Sequence, residues 1–221
     1  MRVERCFAFI DLSDFTAYTE HHGDEETVAI LAAFRGRVRE IAARRGVRVT
    51  KWLGDGAMLS SADTAAVVTM VIEVANRFRD SVPLAIRAGL ASGAVIMFEG
   101  DDYIGRAANV AARLCDLAEA NQTLATREVA SQAPRWVASG SYTARAVHGI
   151  DRPVETTALT ILEAADTVVD PCCGLTLPLL AGLETRFGGD GSVQRFCSTA
   201  CAVAWDDGQR RRSPFGAVLP S

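Results

Sequence analysis

The chain has 221 residues, 49% of them hydrophobic and 23% charged, with a formal net charge of −4. That length buries one full core plus a small appendage, and the mildly acidic balance, with no sustained basic face, argues against nucleic acid as a partner. Six cysteines do not make a disulfide scaffold at this length, and four of them, Cys172, Cys173, Cys197 and Cys201, crowd into the last quarter, where a local metal or redox role is expected.

Arg2, Glu4 and Arg5 surround the start and Asp11 cuts the first apolar run short, so no signal peptide is expected. The later apolar stretches, 65–75 with Thr69 and Glu73 inside it and 175–183 with Pro178, are too short to span a bilayer. The expectation is a cytoplasmic chain with no membrane partner.

Cys6 to Leu12 reads as a buried strand ending at an acidic residue. His21 and His22 follow in a polar loop and are expected to face solvent. Val28, Leu31, Phe34, Val38 and Ile41 recur at helical spacing, which predicts a helix over 24–45 stopped by Gly46. Its arginines (Arg35, Arg37, Arg39, Arg44, Arg45) are expected on a solvated face near the helix C-terminus rather than on phosphate. Val47 to Trp52 and Ala57 to Ser61 flank Leu53-Gly54-Asp55-Gly56, a hairpin. Asp63 caps a helix running to about Phe78. Leu84 to Ser92 and Ala94 to Phe98 predict two strands bent at Gly93. Gly105 to Ala118 is helical, Thr123 to Thr126 a short strand, Glu128 to Gln132 a helical turn, and Tyr142 to Val147 with Glu155 to Leu162 a closing pair of strands. This order predicts an α+β sandwich with helices over one mostly antiparallel sheet. Composition shifts near Ala164 and turns rich in Gly, Pro and Cys from Asp170, so a first domain over 1–165 and a second over 166–221 are expected, with a flexible end after Trp205 that takes in Arg210, Arg211, Arg212 and Pro214.

The chain contains neither G-x-x-x-x-G-K-[ST] nor G-x-G-x-x-G after a strand, so if it handles a nucleotide, metal-bound carboxylates must do much of the phosphate work. Asp11 ends an apolar strand, and Asp55 sits at a hairpin tip. Two carboxylates on neighbouring strand ends repel unless a cation lies between them, and Mg²⁺ favours one or two carboxylates with water and phosphate. The same two residues also read as a helix cap and an ordinary turn aspartate. Cys6 and Cys115 fit packing and need no chemistry.

Phe9-Ile10-Asp11-Leu12-Ser13-Asp14-Phe15-Thr16 resembles the first metal motif of class III nucleotide cyclases. Lys51-Trp52-Leu53-Gly54-Asp55 resembles their K-x-x-G-D hairpin, and Asp102-Tyr103-Ile104-Gly105 through Asn109 to Arg113 resembles their D-x-x-G-x-x-x-N-x-A-x-R motif. The resemblance runs from about Phe7 to Leu162, with order and intervals matching. It implies a ferredoxin-like cyclase sandwich and an adenylate cyclase, a phosphorus–oxygen lyase that turns ATP into 3′,5′-cyclic AMP and pyrophosphate. It assigns Asp11 and Asp55, with the backbone carbonyl of Leu12, to two Mg²⁺ or Mn²⁺ ions, Lys51 and Asp102 to the purine, and Asn109 and Arg113 to the reacting phosphate. Asn109 and Arg113 are one helical turn apart and share a face. Arg113 can offer a planar fork to charge building on phosphate oxygens.

Adenine presents an amine donor and a ring-nitrogen acceptor, which suit Asp102 and Lys51; guanine presents the opposite pattern. In guanylyl members the lysine position is typically glutamate. The adjacent Asp101 leaves a one-residue ambiguity that the interval to Gly105 resolves toward Asp102. Lys51 and Asp55 share a hairpin yet serve opposite ends of the substrate. The family resolves this by head-to-tail pairing, so a C2 homodimer with two composite sites is implied.

Where family members often carry L-K-G, this chain has Val147-His148-Gly149, so His148 stands at a position that reaches the terminal phosphates, or is an ordinary strand-end residue; Arg145 is a substitute. Histidine is a weaker phosphate partner than lysine at neutral pH. A catalytically silent nucleotide-binding or sensory module is the competing reading, and His148 is the feature in its favour.

Asp170-Pro171-Cys172-Cys173-Gly174 followed by Phe196-Cys197-Ser198-Thr199-Ala200-Cys201 resembles the small treble-clef modules called YHS or TRASH domains. The resemblance places Cys173, Cys197 and Cys201 on the family's cysteines, with Cys172 as a fourth ligand, and implies Zn²⁺ or a softer metal in a structural or a sensing role. Between them, Gly188-Gly189-Asp190-Gly191 makes the expected hairpin irregular.

Overall fold

The computed structural model describes residues 1–79, 83–98, 102–188 and 191–212. Asp101, Gly189, Asp190 and Pro214, each of which figures in a sequence expectation, lie outside the described residues. The chain divides into two compact units, Met1–Ile161 and the residues from Leu162 on.

The first unit is built on β1 (Arg2–Leu12), β2 (Arg48–Leu53), β3 (Gly56–Ser61), β4 (Ile86–Phe98), β5 (Asp102–Ile104), β6 (Thr123–Thr126), β7 (Val137–Ser139), β8 (Thr143–Val147) and β9 (Ile150–Ile161). The strands form one sheet in the order β2-β3-β1-β4-β6-β9-β7, with β5 on β4 and β8 on β9. Every described pairing is antiparallel except β4 with β6. Where two strands bent at Gly93 were expected, β4 runs unbroken, because β1 pairs with it from Arg2↔Ile96 through Leu12↔Ile86.

The helices are α1 (Phe15–His22), α2 (Asp24–Arg45), α3 (Thr64–Arg79), α4 (Arg106–Leu117) and the single turn α5 (Arg127–Ala130). β1 is apolar on both faces because both are covered. Phe7, Met58, Ala91 and Val95 meet Ala107, Val110, Ala111 and Leu114 of α4, while Cys6 points the other way, to Thr64 of α3. Glycine is required where α4 crosses the sheet: a Cβ on Gly89 would lie 2.1 Å from the Cys115 nitrogen and 2.3 Å from the Ala111 oxygen. Cys6 and Cys115 are buried, and burial pushes both thiols up to about 12.

Three expectations are corrected. His21 and His22 lie in the last turn of α1 rather than in a loop; His22 stacks on Tyr18 at a centroid distance of 3.9 Å. In α2, Thr27 is buried and Val28 exposed, although Phe34, Val38 and Ile41 face inward as the period predicts. The arginines of α2 do not all stay in solvent. Arg45 is 5% exposed, its guanidinium 2.7 Å from a carboxylate oxygen of the fully buried Glu73. Arg44 and, at 3.1 Å, Arg77 grip the same carboxylate. The helix period identifies the face; the buried carboxylate on α3 decides which cations leave the water.

The second unit contains hairpin β10 (Thr167–Val169) with β11 (Thr176–Pro178), hairpin β12 (Glu184–Phe187) with β13 (Val193–Phe196), and α6 (Thr199–Arg212). The second hairpin is regular in its four pairs. Past Trp205 the backbone continues as helix to Arg212 instead of leaving the fold, with the Trp205 ring packed on Phe196 at 5.7 Å. Leu175, Leu177 and Phe196 are fully buried and form the apolar centre of this unit. No helix among the described residues is long and apolar enough to cross a membrane.

Candidate active site

The central strands bring the two predicted carboxylates together. Asp11 lies at the end of β1, and Asp55 sits in the turn between β2 and β3, whose strand β3 pairs with β1 up to Ile10↔Ala57. Gly56 packs directly on that end of β1: a Cβ there would be 2.7 Å from the Ile10 oxygen and 3.0 Å from Asp11 Oδ1. Burial and then the charge of Asp11 push the Asp55 carboxyl above its ordinary range. Leu12 is buried beside them and pairs with Ile86.

The cation beside Asp11 is one that sequence reasoning missed. Arg87 stands opposite Asp11 in the β1–β4 register and donates to Oδ2 from Nη2 at 2.6 Å and from Nε at 3.0 Å. Its signal was an arginine inside the apolar run Leu84-Ala85-Ile86-Arg87-Ala88-Gly89-Leu90. Both donors converge on Oδ2, so Oδ1 is left toward the hairpin tip. Two hard carboxylate oxygens at adjoining strand ends fit Mg²⁺ or Mn²⁺, which take oxygen ligands and keep several waters.

Lys51 and Asp102 lie far apart in sequence and on different strands, yet their side chains meet: Nζ is 2.9 Å from Oδ2. The lysine first, and then the Tyr103 backbone N–H, holds the Asp102 carboxyl below its ordinary range. Both side chains are about half exposed, at 46% and 47%, so the pair is cheaply redirected to another partner. Asn109 and Arg113 project from α4 on its exposed side, and Arg113 reaches Asp116 at 3.2 Å. His148 is exposed in the two-residue turn between Val147 and Ile150. Arg145 is tied to Thr156, donating from Nε at 3.1 Å.

In the second unit Asp170, Cys173, Cys197 and Cys201 place one ligand atom each within 4.8 Å of one another. The sulfurs of Cys173 and Cys197 are 3.7 Å apart and those of Cys197 and Cys201 3.5 Å. Cys172 is not in this group, and Asp170 takes its place. Asp170 is fully buried; Oδ1 accepts the N–H groups of Cys172 at 2.8 Å and Cys173 at 3.2 Å, and Oδ2 that of Cys197 at 2.8 Å. One carboxylate therefore pins together the two turns that carry the thiols. The neighbouring thiols, and then burial, push the Cys173 thiol upward.

No family model matches the chain. It is 33% identical over 149 residues to the uncharacterized protein Rv2212 of Mycobacterium tuberculosis, a match covering 66% of this chain and 38% of that one. It is 31% identical over 118 residues to an adenylate cyclase of Streptomyces coelicolor, covering 52% and 30%. The chain thus spans well under half the length of the curated relatives it matches. Among solved structures, the adenylyl cyclase CyaB of P. aeruginosa has the same fold at a TM-score of 0.66 and 26% identity, over 74% of this chain and 96% of that one. Guanylyl cyclases share the fold as well. The first unit has the fold of adenylyl and guanylyl cyclase domains.

Proposed function

We propose that the chain is an adenylyl cyclase, forming 3′,5′-cyclic AMP and pyrophosphate from ATP in composite sites of a head-to-tail homodimer. The observation that carries this reading is the meeting of Asp11 and Asp55 at adjoining strand ends, with Arg87 neutralising one oxygen only. Divalent ions bound there would acidify the ribose 3′-hydroxyl and hold the triphosphate. Arg87 holds Asp11 in place through two hydrogen bonds to Oδ2, and brings a fixed positive charge to the place where phosphate oxygens arrive. Lys51 and Asp102, already converged, present a donor and an acceptor side by side, the complement of the adenine edge. Asn109 and Arg113 face away from their own core, as groups serving a partner's metal end would.

Purified protein given ATP or GTP with Mn²⁺ is expected to yield cyclic AMP, with ATP preferred by roughly 10–100-fold in kcat/KM. Lys51→Glu is expected to lower ATP turnover at least about tenfold. A folded dimer that forms no cyclic product would favour the catalytically silent reading; equal use of both nucleotides would remove the base-reading role of Lys51 and Asp102.

For the second unit we propose a zinc ion held by Cys173, Cys197 and Cys201, with Asp170 completing or pinning the site and the ion serving structure. At pH 8, Cys6 and Cys115, with thiols at about 12, are expected to remain unlabelled by a thiol reagent in the folded chain, roughly one in ten thousand being thiolate. The three tail thiols should become reactive only after chelation, with about one zinc released per chain. Equal labelling with and without chelator, and no zinc released, would discard the metal.

A further inference from the structure

The hairpin that carries Lys51 and Asp55 lies at one end of the sheet, and β2 pairs with β3 alone among the described strands. Its ladder is also interrupted, with a register shift between Val49 and Lys51. Asp55 at its tip faces Asp11 at the end of β1, so the placing of the tip sets the separation of the two carboxylates.

Two arginines of α2 meet the hairpin. Arg35 and Arg39, one helical turn apart, place their guanidinium carbons 5.1 Å and 4.9 Å from the centre of the Trp52 ring. Arg35 also donates from Nη2 to the Gly54 carbonyl oxygen at 2.7 Å, one residue before Asp55. Phe34 packs edge-on against the same ring at 6.4 Å. A planar guanidinium stacks on an indole and still directs an N–H along its own plane, which an ammonium cannot do equally well.

We propose that Arg35, with Arg39 behind it, is a positioning residue for the metal site: it clamps Trp52 and the Gly54 carbonyl to α2 and so holds Asp55 at the distance from Asp11 that a divalent ion bridges. Neither arginine touches the carboxylates; both act through the hairpin. The proposal rests on the reading of Asp55 as a metal ligand.

The full-length chain carrying Arg35→Met, Arg35→Lys or Arg35→Met with Arg39→Met tests it, by the Mn²⁺ dependence of cyclic AMP formation at saturating ATP and by amide hydrogen exchange over residues 51–57. Residues that orient metal ligands typically change affinity by about 10–100-fold when lost. Arg35→Met is therefore expected to raise the half-saturating Mn²⁺ concentration about tenfold, with KM for ATP at saturating Mn²⁺ moving less than about threefold. Arg35→Lys should recover part of the loss, the double variant should be the weakest, and hairpin exchange should quicken in the same order. Mn²⁺ half-saturation unchanged in the double variant overturns the proposal while leaving the cyclase reading intact. Should the unsubstituted chain form no cyclic product, that reading fails by itself and the exchange data decide the clamp: unaltered exchange over residues 51–57 overturns it.

Discussion

An equimolar mixture of Asp55→Ala and Arg113→Ala chains is expected to recover about a quarter of the unsubstituted activity, although each variant alone is silent. Under the proposed reading, removing one of the two carboxylates assigned to metal, or the guanidinium assigned to the developing phosphate charge, should each lower kcat by roughly 10²–10³ or more. Asp55 turns toward Asp11 in its own chain, whereas Arg113 projects from the exposed side of α4 and pairs with Asp116 of the same helix. If one copy supplies the metal end and the other the phosphate end, a mixed dimer holds one doubly damaged site and one intact site. Random exchange makes about half of the dimers mixed, hence the quarter. Exchange is followed independently, by native mass spectrometry of one isotopically labelled chain. Complete exchange with no recovered activity would rule out the shared site, and with it the outward-facing roles of Asn109 and Arg113.

Much of this site was legible because its residues lie in short, ordered motifs. The helix over 24–45, the hairpin around Gly54-Asp55 and the strand over 123–126 all match α2, the β2–β3 turn and β6, since each has a strong local signal: a long period, a Gly-Asp-Gly turn, a short β-branched run. What stayed hidden depends on partners distant in sequence. Arg87 is 76 positions from the carboxylate it grips, and its place inside an apolar run marks an embedded cation without naming its partner. The helix α1 has one buried residue, Tyr18, so its sequence shows no apolar stripe. Asp170 read as part of a motif, yet its work is three amide hydrogen bonds that span 27 residues. Cys172 looked like a ligand by adjacency, yet the group whose ligand atoms lie within 4.8 Å of one another joins Asp170 and Cys173 to Cys197 and Cys201.

Substitution of Glu73 by alanine is expected to cost the first unit about 3–5 kcal/mol, because it strands the buried Arg45 guanidinium rather than deleting a surface contact. Glu73 is fully enclosed, and Arg45, with its side chain 1% exposed, binds it at 2.6 Å. Arg77 reaches it from the next turn of α3 and also approaches Glu40 at 3.7 Å; Arg44 completes the set. Without the carboxylate, Arg45 must either stay charged in a dry site or draw water between α2 and α3. For a unit of this size the melting temperature should fall by roughly 6–20 °C. Replacing the pair together, Glu73→Leu with Arg45→Met, should cost less than Glu73→Ala alone, since the penalty lies in the unmatched charge. Thermal unfolding of the three variants decides the matter: a Glu73→Ala protein melting within about 2 °C of the unsubstituted chain would mean the arginines find water without cost. The cluster joins the last turn of α2 to α3, and Arg35 sits on that same helix, ten residues before Arg45. Loosening the cluster therefore frees the helix whose Arg35 and Arg39 contact the Asp55 hairpin, so under the proposed clamp Glu73→Ala should also raise the metal requirement at temperatures where the fold survives.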